Sequence, residues 1–428
     1  MKLFNKSKSI KIDSLGASLA QPPASVTKKW ISLVALAGLF GAILLLRRFQ
    51  VTDSVMIIWA IILSISVPVV ALEFLVFGKR YGRIQMANKK DQLSRCFTKF
   101  VGFVASFLVM SLAYWLFPYY NAGYADVVYD LLSVVAIPLI ILAPLYIWFI
   151  DSRMIQPKDE FYMAGLVALG RWHETDLAIL WKHCRAWIIK IFFFPYIIHV
   201  TLPLALVAIN VDLVKEVSQD PFGFMNVYIN SIWLIDVAFS CTGYFITLRL
   251  FDSQVRSADP NMLGWVVCMI CYGPFYVMLA ENFLSYEDNY YWGHWLADYP
   301  VLKTIWAIPI ILLLGNYAFA TMQFGIRFSN LTHRGIITSG PFRLTKHPQY
   351  ISKNIAWWLI SIPFINESGI IEATRLSLML IGFNIIFYYR AKTEEKHLSA
   401  DPDYRAYASW IKEHGIFARL RKFALALI

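Results

Sequence analysis

Gly340-Pro341-Phe342-Arg343 and, close behind it, Lys346-His347-Pro348-x-Tyr350 gather donors and flat rings in one short stretch. Arg334, Arg343, Lys346 and His347 can donate to an anionic group, and Phe342 and Tyr350 offer faces for a ring. Gly340 and Pro341 break a helix and Pro348 fixes the backbone after His347, so the stretch reads as a bent loop. Further along, Arg390 precedes the adjacent pair Glu394 and Glu395. Carboxylates accept from hydroxyls or an ammonium, and a guanidinium grips a carboxylate or phosphate as a fork. A ligand with an amino-acid head, a ribose and a purine would use all of these contacts. Singly, each residue has a plainer role. Glu394 and Glu395 could begin a solvated tail, Arg390 could anchor at a membrane interface, and His347 could cap a helix. Their combination at this spacing is what points to a pocket.

The elements that must position these residues are apolar. Of 428 residues, 58% are hydrophobic and 16% charged, whereas a soluble domain carries about a quarter charged residues. Apolar windows long enough to cross a bilayer lie at 30–46, 54–78, 100–118, 130–150, 187–210, 226–250, 262–284 and 301–325. Two closely spaced runs follow, a short one at 353–365 and another at 371–389, with the turn "PFINESG" between them. The expectation is an all-α, polytopic integral membrane helical bundle without a sheet, having about eight full spans plus a C-terminal helical hairpin. The short turn makes the hairpin antiparallel and brings Arg390 and Glu394 to His347. The run Trp30–Leu46 lacks a small-residue cleavage site and reads as a retained span.

The net charge of +11 falls in loops, as expected of basic residues on the cytoplasmic side of a membrane, and not in a nucleic-acid-binding pattern. This places both termini and the Gly340–Asn354 loop in the cytoplasm, in a bacterial inner membrane or an endoplasmic-reticulum-type membrane. Three segments are expected. Residues 1–29 form a basic cytoplasmic segment, 30–300 a transmembrane part of unknown role, and 301–428 the functional part with its tail. Residues 159–186 read as interfacial helices, with His173 and His183 on their surface. Cys268 and Cys271 stand one turn apart in an apolar run and read as small packing residues; no metal site is expected. Asp236 lies mid-span beside Asn230, Ser240 and Tyr244. It is either a substrate-contacting or proton-relay carboxylate, or a structural hydrogen-bonding group.

Gly340-Pro341-Phe342-Arg343, His347-Pro348-x-Tyr350, Arg390-x-x-x-Glu394-Glu395 and the tail motif "DYRAYASW" together resemble the C-terminal core of the isoprenylcysteine carboxyl methyltransferase family, over about residues 325–415. The resemblance implies a helical, membrane-embedded fold and S-adenosyl-L-methionine as cofactor. It implies that the backbone of Arg334, Gly335, Ile336 and Ile337 borders the cofactor. Phe342 takes the place of an aromatic that is commonly Tyr. His347, Pro348 and Tyr350 would line the pocket, and Glu394, with Glu395 beside it, would hold the cofactor. Arg390 would face the acceptor. Lys346 is expected beside Arg390 in the catalytic, acceptor-side set; it stands where the family usually has Arg, a point charge in place of a fork. The implied reaction moves a methyl group to a lipid or lipidated acceptor, either an isoprenylcysteine-like carboxylate or a phospholipid amine. For an amine, Glu395 or His347 could take the proton. Two other readings stand beside it: an NADPH-dependent sterol C14-reductase-like enzyme, and a non-enzymatic membrane lipid transporter or scaffold.

Overall fold

The computed structural model describes residues 21–78, 91–117, 120, 126–219, 222–287 and 291–426. The expected basic segment therefore lies partly outside the described residues (1–20), as does most of the basic loop after the second span (79–90). In chain order the helices are α1 (Lys29–Arg48), α2 (Ser54–Phe77), α3 (Gln92–Leu116), α4 (Asp126–Asp151), α5 (Glu160–Ala168), α6 (Leu177–Asn210), α7 (Leu213–Gln219) and α8 (Gly223–Phe245). They continue with α9 (Met262–Met269), α10 (Trp292–Trp295), α11 (Pro300–Met322), α12 (Pro348–Ser361), α13 (Ile370–Leu398), α14 (Pro402–His414) and α15 (Ile416–Ala426). Eight of these, α1–α4, α6, α8, α11 and α13, are long and apolar enough to cross a membrane. The chain is an all-α, multi-pass membrane bundle. Among the described residues the strand content is a two-residue pairing of β1 (Ser257–Ala258) with β2 (Thr332–His333).

The helices begin where the sequence supplies caps. Asp53 accepts from the Met56 N–H at the start of α2, Asp176 from Ala178 and Ile179 at the start of α6, and Asp401 from Asp403 ahead of Pro402 in α14. α8 is the central span, packed against α2, α6 and α11. Its Ile235, Ala238 and Phe239 join Ile61 and Ile65 of α2 and Ile310 and Leu314 of α11 in the largest buried cluster. Close packing, more than exclusion of water, holds helices together in lipid.

Charged groups tie the helices to one another. Glu73 and Arg327 are almost fully buried and meet at 2.7 Å through both carboxylate oxygens. Arg327 also donates to the Asp252 carbonyl at 3.0 Å. Asp151 accepts from Arg95 at 2.7 Å and Lys99 at 2.9 Å. Glu160 accepts from Lys182 at 2.7 Å and Arg249 at 2.8 Å.

Three expectations change. The stretch expected as the seventh span is broken: α9 stops at Met269, the Gly273-Pro274 turn follows, and Val277–Glu281 is a π-helical piece. Pro274 has no N–H to continue a helix. The span expected from 187 begins at Leu177, because the Asp176 cap starts α6 inside the segment read as interfacial. His183 consequently sits inside the bundle, buried, with Ser106 Oγ 2.8 Å from its Nε2; His173 is exposed. The C-terminal pair forms the expected antiparallel hairpin, with Ile362 and Gly369 in positive-φ conformations at its turn. Its second arm, α13, is itself long enough to span.

Candidate active site

Pro348 starts α12 at its first helical position, which leaves His347 at the mouth of the helix. Across from it, the last turns of α13 carry Arg390, Glu394 and Glu395. The hairpin closes them together: His347 Nε2 lies 3.1 Å from Glu395 Oε1, and His347 Nδ1 lies 3.5 Å from Glu394 Oε2. Tyr350, one turn along α12, donates to Glu394 at 3.2 Å, and its ring stacks parallel to the His347 ring with centroids 5.5 Å apart. Burial opposes a charge on His347, but the two carboxylates outweigh it and hold its pKa above the ordinary imidazole value.

The loop ahead of α12 is clamped from both sides. Tyr407 of α14 donates to the Phe342 carbonyl at 2.7 Å and the Thr345 carbonyl at 3.2 Å. Arg343 turns away from the pocket, over the Trp410 ring. At the other side, the Val26 N–H donates to the Ile336 carbonyl at 3.0 Å and Thr338 Oγ1 to the Pro23 carbonyl at 2.7 Å, so residues 23–26 form a strap across the loop. Gly335 between them has φ +117, and a Cβ there would meet Val26 Cγ2 at 2.9 Å.

These elements enclose a cavity of about 450 Å³, the size of a small-molecule site. Arg334, Gly335, Ile336, Ile337, Phe342, Lys346, His347, Tyr350, Arg390 and Glu394 all line it. Pro348 and Glu395 stand behind the wall. Glu395 accepts from Lys346 at 2.7 Å and from His347, so it braces the loop. The Arg334 side chain points into protein, where its guanidinium donates to the carbonyls of Gly243, Ile246, Ser253, Ile326 and Phe328. Only its backbone is left for a ligand. Arg390 is held by Asn330 Oδ1 at 2.7 Å and the Tyr272 hydroxyl at 3.0 Å, with Tyr272 and Tyr350 rings beside the guanidinium.

Several lining residues had no signal in the sequence. Asp259 arrives through the β1–β2 pairing; burial raises its carboxyl above the ordinary range, with the Asn261 N–H pulling the other way. His333, beside Asp401 at 3.3 Å, is pushed down by burial to about 4. The Tyr404 hydroxyl is buried without a partner among the described residues. Its motif "DYRAYASW" was visible, but not its inward turn. Asn330 and Lys353 also line the cavity. Lys353 was a solitary cation in an apolar run, a weak hint that it needed a reason to be there.

Asp236 resolves to a cavity-lining position. It accepts from Thr321 Oγ1 at 3.0 Å, and Gln349 of α12 donates to the same Thr321 at 2.8 Å. Three helices are thereby joined beneath the loop. No curated protein and no solved structure matches the chain. Residues 303–400, in the C-terminal part of this multi-pass protein, match the model of the isoprenylcysteine carboxyl methyltransferase (ICMT) family, a similarity that supports a membrane methyltransferase in general.

Proposed function

We propose that the protein is an integral membrane methyltransferase that takes its methyl group from S-adenosyl-L-methionine and delivers it to a lipid or lipidated acceptor. The observation that carries this reading is the cavity that runs from the polar ends of α12 and α13 to an aromatic interior among the spans, built largely from the stretch that matches the ICMT family.

The donor set suits the cofactor. Glu394 offers a carboxylate to an ammonium or to ribose hydroxyls, with Tyr350 and His347 fixing its orientation. Ile336, Ile337 and Phe342 give an apolar slot for a flat base, and the unpartnered Tyr404 hydroxyl stands ready for a polar edge. When bound, the cofactor supplies an already activated methyl group on a sulfonium. The protein's part is therefore positioning and exclusion of water more than acid–base chemistry. Arg390, buried among aromatic rings, orients an anionic group of the acceptor. Lys346, engaged with Glu395, acts on the loop's shape instead of on the reacting atoms.

In this reading both termini lie in the cytoplasm. The strap at residues 23–26 packs on the active-site loop, so the start of α1 and the loop share a face. The tail adds Arg405, Lys412, Arg419, Arg421 and Lys422 to that face. The test is to incubate membranes containing the protein with methyl-labelled S-adenosyl-L-methionine and extract the lipids. Label should enter a lipid or lipidated product, and should fail to do so with an Arg390→Ala variant. Equal labelling in membranes lacking the protein overturns the proposal.

A further inference from the structure

The last helix, α15, carries an apolar stripe that the described residues leave bare. Phe417, Leu420 and Phe423 recur every three residues along it, with Ile416 beside them, and all four are exposed. At about 100° per residue they share one side of the helix, with Arg421 along one edge and Arg419 along the other. Ala418, on a different side, is buried. Residues 414–426 contain Arg419, Arg421 and Lys422 and no Asp or Glu. Between α14 and α15 lies an open groove of about 570 Å³, with Lys346, Lys412 and Arg421 around Ile411, Phe417 and Ala418. Lys346 is engaged by Glu395. Lys412 and Arg421 are exposed and form no ion pair among the described residues.

The position of α15 says what covers the stripe. The Ile416 N–H donates to the Leu344 carbonyl of the active-site loop at 2.7 Å. Gly415 brings the chain so close that a Cβ there would meet the same oxygen at 3.0 Å. Leu344 stands three residues ahead of His347, which meets Glu394 and Glu395. Glu394 in turn lies five residues past Tyr389, where the apolar run of α13 ends, a rise of about 7.5 Å. Lipid head groups occupy about that depth beyond the hydrocarbon. A helix at this level with an apolar stripe and basic edges lies in the plane of the interface, its apolar side chains among the acyl ends and its cations among phosphates. A nucleic acid would meet the cations but leave the stripe in water.

We propose that α15, with the groove it forms against α14, is a docking surface for the anionic lipids of the bilayer, and that this docking steadies the active-site loop through Leu344. The surface lies outside the cavity and does not rest on the methyltransferase reading. Its consequence for the cavity follows from the chain: the loop that α15 grips at Leu344 carries Phe342 on one side and Lys346 and His347 on the other. The charge of the surrounding lipid would thus set how firmly the cavity wall is held.

The test places single full-length chains in nanodiscs of phosphatidylcholine alone or with phosphatidylglycerol added, and reads hydrogen exchange by mass spectrometry. With one chain per disc, a second copy cannot supply the cover. Residues 416–426 and 340–347 should both exchange at least about fivefold more slowly in the phosphatidylglycerol discs, since one basic side chain at an anionic surface contributes roughly that factor. The double variant Lys412→Glu with Arg421→Glu should lose this lipid dependence in both segments while α13 exchanges as in the wild type. Leu420→Ser, which keeps every charge, should exchange faster across 416–426 in the phosphatidylglycerol discs. Equal exchange of the wild type in the two kinds of disc, a double variant that keeps the lipid dependence, or a Leu420→Ser variant with unchanged exchange overturns the docking surface. A loop 340–347 that does not follow α15 overturns its coupling to the cavity.

Discussion

At the scale of single residues, His347 links the loop to α13 through Glu394 and Glu395. Its raised pKa means that the folded protein binds the proton more tightly than the unfolded chain does. The resulting stability is fully present below the ordinary imidazole value of about 6.5 and is lost as pH rises through the raised one. The melting temperature should therefore fall on going from mildly acidic to alkaline pH, and His347→Gln should flatten that slope; a parallel slope in the variant contradicts the assignment. Arg390→Lys tests a different residue. A lysine keeps the charge but cannot reproduce the guanidinium's contacts to Asn330 and Tyr272. Cofactor affinity should hold while turnover falls, which separates an acceptor-side role from a cofactor-side one in single-turnover assays.

At the scale of elements, the loop and the hairpin were legible because they are written in residues that act locally. Gly340, Pro341 and Pro348 dictate a bend and a helix start, and the turn between the last two apolar runs admits only antiparallel neighbours. Asp259 and Asn330 were not legible, since their arrival at the cavity depends on the β1–β2 pairing and on the path of the chain after α11. The seventh apolar run misled because hydropathy does not register how Gly273-Pro274 interrupts a helix. His183 misled because Ser106, on a distant helix, completes its hydrogen bonding. Gly335 is the hinge between strap and loop, with a φ that side chains avoid and Val26 against its α-carbon. Gly335→Ala should cost on the order of 1–3 kcal/mol, seen as a lower melting temperature together with weaker cofactor binding. A variant as stable as the wild type would mean that the strap does not hold the loop.

At the scale of the whole molecule, the bundle and the site share structural members. Glu73 of α2 fixes Arg327, which leads directly into the active-site loop. Glu73→Gln leaves a buried arginine without its counter-charge and should destabilise by about 3–5 kcal/mol, measured as loss of monodisperse protein on heating. Replacing both partners with apolar residues should recover much of that loss. Tyr196 of α6 and Trp233 and Asp236 of α8 line the cavity as well, so the C-terminal core is not an appendage to the earlier spans. The claim on which the account depends is that this cavity holds S-adenosyl-L-methionine through Glu394. Calorimetry on the detergent-purified full chain measures it directly. The account predicts that the wild type binds S-adenosyl-L-methionine and not NADPH. It further predicts that Glu394→Gln, with an unchanged size-exclusion profile, binds roughly ten- to a hundredfold more weakly, as loss of a charged hydrogen-bond partner dictates. Absence of binding by the wild type, or equal affinity in the variant, would contradict it.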